Sequence, residues 1–223
     1  PYTICAGNLN IPKSYRKSVK LIGPILSTHP DKLLTKEGLR KKLRLPVDKS
    51  VIFASISGSI RERAFLTGIL MKILLDFPED YEVVISLGYP NASDKPIYHG
   101  NTTIYKWTSN RFEYLKASDL VIGRAGHGTI TQCLCYGKPM ILVPTPSHTE
   151  QLSNAKQAES LGVAKVIQQE ELDKDKLLKS VKQILEEDTS ERLKEIQKEA
   201  LKYDGLENAV KIVVEMAENK QVF

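Results

Sequence analysis

The chain has 223 residues, 41% hydrophobic, 26% charged and 7% aromatic, enough to bury one substantial core, so a single domain is the default expectation. Its net charge of +5 comes from 32 Lys and Arg against 27 Asp and Glu in mixed runs such as Lys174-Asp-Lys-Leu-Leu-Lys179, which read as solvated helix faces and argue against nucleic acid as a partner. No apolar stretch reaches the roughly 18 residues of a membrane span and no signal peptide is visible, while Cys5, Cys133 and Cys135 form neither a CxxC pair nor a metal-ligand set, which implies a cytoplasmic protein with reduced thiols and at most a peripheral place on a membrane.

The chain opens with the strand-like Tyr2-Thr-Ile-Cys-Ala6. Residues 31–45 are lysine-rich, and Leu33, Leu34, Leu39 and Leu43 give them a helical stripe that Pro46 ends. Val51-Ile-Phe-Ala-Ser-Ile56 is a short β-branched run of the kind buried on both faces of a parallel sheet. Residues 62–76 carry Phe65, Leu66, Ile69, Leu70, Ile73 and Leu74 at helical spacing, and Tyr81-Glu-Val-Val-Ile-Ser-Leu87 follows as a strand. Strand, helix, strand in this register predicts a right-handed crossover.

Residues 91–100 read as a polar loop, 102–107 as a strand, 111–117 as a short helix, 120–122 as a strand, 129–136 as a helix and 140–143 as a strand. A helix over 150–161, a strand over 164–167 and a helix over 174–186 continue the alternation, and helices over 190–202 and 206–218 form the tail. The pattern predicts an α/β fold with a doubly wound, Rossmann-like parallel sheet, whose ligand site lies beyond the carboxyl ends of the strands.

Three motifs fall at those ends. In Arg124-Ala-Gly-His-Gly-Thr129, Gly126 and Gly128 let bare backbone N–H groups approach a ligand, and Thr129 can cap the helix or bond a phosphate oxygen; the turn implies an anion site of the kind that holds a phosphate or diphosphate without a metal, a glycine turn serving only helix packing being the alternative. Ser57-Gly-Ser59 lies in a turn that reads equally as a phosphate contact or a plain strand-to-helix connection, with Arg61 nearby to add charge. In Glu150-Gln-Leu-Ser-Asn154, a carboxylate and an amide on the first helical turn offer acceptors and a donor to vicinal hydroxyls, although an ordinary helix start has the same composition.

The co-occurrence of the Arg-Ala-Gly turn, the Gly137-Lys-Pro139 strand entry and the Glu-Gln-x-x-Asn-Ala helix start resembles the C-terminal, nucleotide-sugar-binding half of the GT-B glycosyltransferases. The similarity runs over about 19–185 and is strongest to the branch with the lipid II-forming N-acetylglucosaminyltransferase, the diacylglycerol sugar transferases and the donor subunit of the dolichol-pathway GlcNAc transferase. It implies an inverting, metal-independent transferase with a UDP-sugar as co-substrate and no cofactor, acting on an acceptor hydroxyl, in some relatives lipid-linked. Residues 1–24 would then be an edge strand and linker from a missing N-terminal acceptor domain, which holds the catalytic base, and 25–223 the donor domain with its C-terminal helices.

The resemblance places the diphosphate at Ser57, Gly58, Ser59, Arg124, Gly126, His127, Gly128 and Thr129, and the donor sugar at Glu150, Gln151 and Asn154. It places base and ribose at Trp107, Thr108 and Gln132, where many relatives carry Glu at the position of Gln132. Trp107 is also a candidate for the core, and Arg111, Phe112 and Tyr114 could rim the base pocket or pack inward. A second reading of the same resemblance is a non-catalytic donor-binding subunit docked on a separate membrane partner at the cytoplasmic face. A UDP-sugar 2-epimerase shares the architecture, but no cluster of carboxylates and His suits its proton abstraction.

Overall fold

The computed structural model describes residues 13–15, 17–187 and 189–218; the strand expected over residues 2–6 and Cys5 lie outside them. Among the described residues seven strands form one sheet: β1 (Ser50–Ser55), β2 (Tyr81–Ser86), β3 (Ile97–His99), β4 (Thr102–Tyr105), β5 (Leu120–Gly123), β6 (Met140–Leu142) and β7 (Ala164–Val166), in the order β3-β4-β2-β1-β5-β6-β7. All neighbours are parallel except β3 and β4. Eight α-helices accompany them among the same residues: α1 (Lys36–Leu43), α2 (Ile60–Leu74), α3 (Arg111–Ala117), α4 (His127–Cys135), α5 (Thr149–Ser160), α6 (Lys174–Glu186), α7 (Ser190–Ala200) and α8 (Gly205–Glu218).

The alternation of side chains along a strand splits the core in two. From β1, Val51 and Phe53 face a cluster completed by α1, α3, α4, α5 and α7, through Leu39, Tyr114, Ile130, Ala155 and Leu193. Ile52 and Ala54 face the opposite cluster, which α2 and α6 close with Leu66, Leu70, Leu177 and Val181. With both faces covered, the doubly wound arrangement is what the continuous apolar runs require.

Three details depart from the sequence reading. The helix expected over 31–45 is instead a 3₁₀ turn, Pro30–Lys32, an extended Leu33, and α1, restarted where the Thr35 hydroxyl accepts from the Gly38 N–H at 3.2 Å. The loop expected over 91–100 contains β3, whose three residues are exposed and so carry no apolar alternation to betray them. Trp107 lies beyond β4, which ends at Tyr105.

At the amino end of the sheet the Asp119 carboxylate accepts from the Val51 N–H at 2.6 Å and pairs with Lys36 and Arg40. Beside it, buried Lys138 donates to the Lys116 and Ser118 carbonyls at 2.8 and 2.7 Å. Along α8, Leu206, Val210, Val213 and Val214 are exposed on one face. Residues 20–24 run along it, with the Asn208 amide donating to the Ile22 carbonyl at 2.9 Å and the Gly205 N–H to the Pro24 carbonyl at 3.1 Å. No helix among the described residues is long and apolar enough to cross a membrane.

Candidate functional site

The sheet order reverses at β1: the chain runs outward to β2 and β4, then returns to place β5 on the other side, with Ser55 in register with Gly123. That reversal is where a doubly wound sheet opens a crevice. The turns leaving β1, β5 and β6 stand side by side there and lead into α2, α4 and α5. Three helix N-termini therefore converge on one edge, each with a partial positive charge of roughly half a unit.

The three ends are finished differently. Ser59 caps α2 through a reciprocal box, its hydroxyl accepting from the Glu62 N–H at 3.5 Å and its own N–H donating to Glu62 Oε2 at 3.0 Å. The Ser59 N–H, and after it the Ser59 hydroxyl, hold the Glu62 carboxyl below its usual range, helped by the nearby His148 and Arg124. His148 caps α5, its Nδ1 accepting from the Gln151 N–H at 3.5 Å. Gly126 begins α4 with no side-chain cap, so the first-turn N–H groups of α4 are left without the partner that the other two helices have.

Gly126 and Gly128 are not there for the fold's sake. Gly126 has an ordinary φ of −73°, and a Cβ built on either residue meets no atom within 4 Å. Gly58 is different, because its φ of 118° is a conformation that side chains rarely adopt. The uncapped helix start is thus flanked by glycines whose missing side chains keep open space beyond the protein surface, with His127 and Gly128 exposed and Thr129 buried.

Arg124 lies under the site. Its side chain is 2% exposed and donates to the Val143 carbonyl at 3.1 Å, the Glu62 carbonyl at 3.0 Å and Gln169 Oε1 at 2.7 Å. One guanidinium thereby ties α2, β5, the exit of β6 and the segment after β7, and burial pulls its pKa down. Whatever residue 124 offers a ligand comes from its main chain. Ser57, Gly58 and Ser59 are all exposed at the adjoining turn, the Ser59 hydroxyl already serving α2.

On the α5 flank Glu150 is exposed, while Asn154, 3% exposed, donates to the Ala125 carbonyl at 3.2 Å and to Glu150 Oε1 at 3.4 Å. Gln151 Oε1 accepts from the Thr145 N–H at 2.9 Å and so braces the loop in which Ser147 takes a left-handed φ of 60°. Asn154 and Gln151 therefore organise the flank, leaving Glu150 as its outward acceptor.

On the other flank, Thr108 is buried and accepts from the Asn110 N–H at 3.3 Å, Trp107 is half-buried, and Phe112 stacks on Tyr136 with centroids 5.9 Å apart. Tyr114 packs inward against Phe53. Half-buried Gln132 on α4 accepts, through Oε1, a 2.8 Å bond from Arg111 of α3.

Sequence reasoning missed Arg124 as a tie, the Glu62 cap and the Arg111–Gln132 pair. Ser59-x-x-Glu62 is a capping box legible in the sequence, whereas Arg111 and Gln132 are brought together only by the fold. Among the described residues no three His, Cys, Asp or Glu side chains stand close enough to hold a metal ion.

Comparison with known proteins bears on this edge. Residues 57–213 match the glycosyltransferase family 28 C-terminal domain. An uncharacterized glycosyltransferase of Methanosarcina mazei is 26% identical over 223 residues, all of this chain and 56% of that protein. The UDP-N-acetylglucosamine–N-acetylmuramyl-(pentapeptide) pyrophosphoryl-undecaprenol N-acetylglucosamine transferase of Caldicellulosiruptor saccharolyticus is 35% identical over 185 residues, 78% of this chain and 50% of that enzyme. The chain spans about half the length of such relatives.

In fold it is similar to the glycotransferase of kitacinnamycin, with a TM-score of 0.68 at 19% identity over 96% of this chain and 52% of that one. It is also similar to the glycosyltransferase VinC, solved in complex with DTDP, with a TM-score of 0.58 at 20% identity over 90% of this chain and 47% of that one. The sheet with its three converging helix starts is therefore the C-terminal half of a GT-B fold, and the chain belongs to glycosyltransferase family 28 through its C-terminal domain.

Proposed function

We propose that this chain is the donor-binding part of an inverting glycosyltransferase that takes a hexose or N-acetylhexosamine from a UDP-sugar without a metal ion. The observation that carries the reading is the uncapped start of α4 between two glycines that the fold itself does not need. Backbone N–H groups aimed at a leaving diphosphate stabilise the charge that grows there as the glycosidic bond breaks. The α5 flank, with Glu150 outermost, suits sugar hydroxyls, and the flank with Trp107, Thr108 and Phe112 suits a planar base. The base that takes the acceptor proton would come from another domain, which the greater length of the relatives accommodates, so these residues alone would bind without turnover.

The test is calorimetric titration with UDP, UDP-N-acetylglucosamine and ADP, in EDTA and again in Mg²⁺. Binding of the uridine ligands in EDTA with weaker ADP binding is expected. Equal affinity for ADP, or no binding until Mg²⁺ is added, refutes the assignment.

The exposed apolar face of α8 favours one other reading, a donor-binding subunit that docks on a separate membrane-associated partner at the cytoplasmic face and serves a lipid-linked acceptor. A gene whose reading frame continues upstream of Pro1 into an acceptor domain rejects it.

A further inference from the structure

The Arg111–Gln132 bond decides which half of the Gln132 amide a ligand meets. A guanidinium has donors only, so the 2.8 Å contact from Arg111 Nη2 requires the amide oxygen to face Arg111 and turns the NH₂ the other way. The Arg111 guanidinium also lies over the Phe112 ring, 5.5 Å from its centroid, a contact that uses the face of the group and leaves the in-plane Nη2 donor directed at Gln132. Among the described residues the guanidinium has no carboxylate partner, and burial lowers its pKa.

Gln132 stands four residues after Gly128, hence one turn along the same face of α4 and about 6 Å farther from the helix start. It meets α3 through Arg111, whereas Glu150 bonds within α5. A nucleoside diphosphate whose phosphates sit at the start of α4 and whose base lies toward Trp107 would carry its pentose past this residue.

We infer that the Arg111–Gln132 pair makes the pentose subsite indifferent to the 2′-hydroxyl, so that the chain accepts 2′-deoxyribonucleoside diphosphates and their sugars about as readily as ribonucleoside ones. The inference rests on the donor-binding reading above and narrows its substrate class. A carboxylate at 132 would be an acceptor-only group demanding a hydroxyl donor. The amide held by Arg111 offers instead a neutral N–H, which a hydroxyl, a ring oxygen or water satisfies comparably, so loss of the 2′-hydroxyl strands no buried acceptor. Arg111 acts here as a positioning residue through Gln132.

The experiment titrates UDP and 2′-deoxy-UDP into the wild-type chain and three variants by calorimetry in EDTA, with circular dichroism to confirm folding. The wild-type ratio of dissociation constants, deoxy over ribo, is expected below about fivefold, the scale of one neutral hydrogen bond. Gln132→Glu keeps one oxygen on Arg111 and turns the other outward, so its ratio should rise about tenfold, in keeping with a bond to a charged group. Arg111→Lys, still a donor-only cation, should leave the ratio unchanged, and Arg111→Met, which frees the amide to turn, should raise it about threefold.

A wild-type ratio of fivefold or more overturns the inference, as does a folded Gln132→Glu protein whose ratio does not rise. An Arg111→Met ratio equal to that of wild type removes Arg111 from it. If neither nucleotide binds the wild-type chain, the donor-binding reading itself falls and this inference with it.

Discussion

Replacing Gly128 by Ala should stabilise the protein and damage its ligand site in the same molecule. Gly128 is the second residue of α4, its φ is not positive, and an added Cβ meets nothing within 4 Å. Ala is worth up to about 1 kcal/mol over Gly inside a helix, less in a first turn, so a gain of roughly 0.5–1 kcal/mol is expected. For a chain of this size that is a rise in Tm of about 1–4 °C. The same methyl leans toward the helix N-terminus, as every helical Cβ does, and so enters the space in front of the bare N–H groups.

If a diphosphate sits there, the methyl displaces it from one or more charge-assisted hydrogen bonds of roughly 1.5–3 kcal/mol each, or at least tenfold in Kd for UDP. Thermal unfolding without ligand and calorimetry with UDP read the two effects separately. A protein with raised Tm and unchanged UDP affinity would show that the glycines keep their space open for something other than a phosphate.

Further outcomes are expected elsewhere. Arg124→Met strands the Val143 carbonyl and the Gln169 amide oxygen, while the Glu62 carbonyl keeps its bond within α2, and should cost about 2 kcal/mol or more in urea unfolding; a loss under about 1 kcal/mol would mean that water replaces the guanidinium. Glu150→Ala should weaken a UDP-sugar while sparing UDP, and equal weakening of both would remove Glu150 from the sugar. Burial, reinforced by the Lys36 and Arg40 charges and opposed by Asp119, pushes the Lys138 ammonium down to about 7. An unfolded lysine titrates near 10.4, so between these values the unfolded chain binds the extra proton and stability rises with pH. Urea unfolding at pH 7, 8 and 9 should show that slope, and Lys138→Met should flatten it. The range stops there because buried Tyr114 and Tyr136, both raised above the ordinary tyrosine value, reverse the slope in more alkaline solution.

The fold was legible wherever burial imposed a period. Val51 to Ser55, residues 81–86 and the helix at 174–186 carry unbroken apolar patterns, and each forms the expected element within a residue or two. β3 was hidden because an exposed edge strand of Ile97, Tyr98 and His99 has no buried face to repeat. The break before α1 depends on the Thr35 cap, which the lysine-rich stripe obscured.

At the candidate site the glycine turn could be read because it is local in sequence. The destinations of long side chains could not. Arg124 reaches Gln169, 45 residues on, and Gln132 spends its oxygen on Arg111, 21 residues before it, pairings set by strand order alone.

Because Arg124 fastens the first turn of α2 and the exits of β5 and β6 to one another, these parts of the crevice edge are joined by bonds that need no ligand to form. An anion meeting such a surface has little loop ordering to wait for. Its association should then be governed by diffusion and by the field of the helix starts, slowing as ionic strength rises, while differences among ligands appear chiefly in how long each one stays.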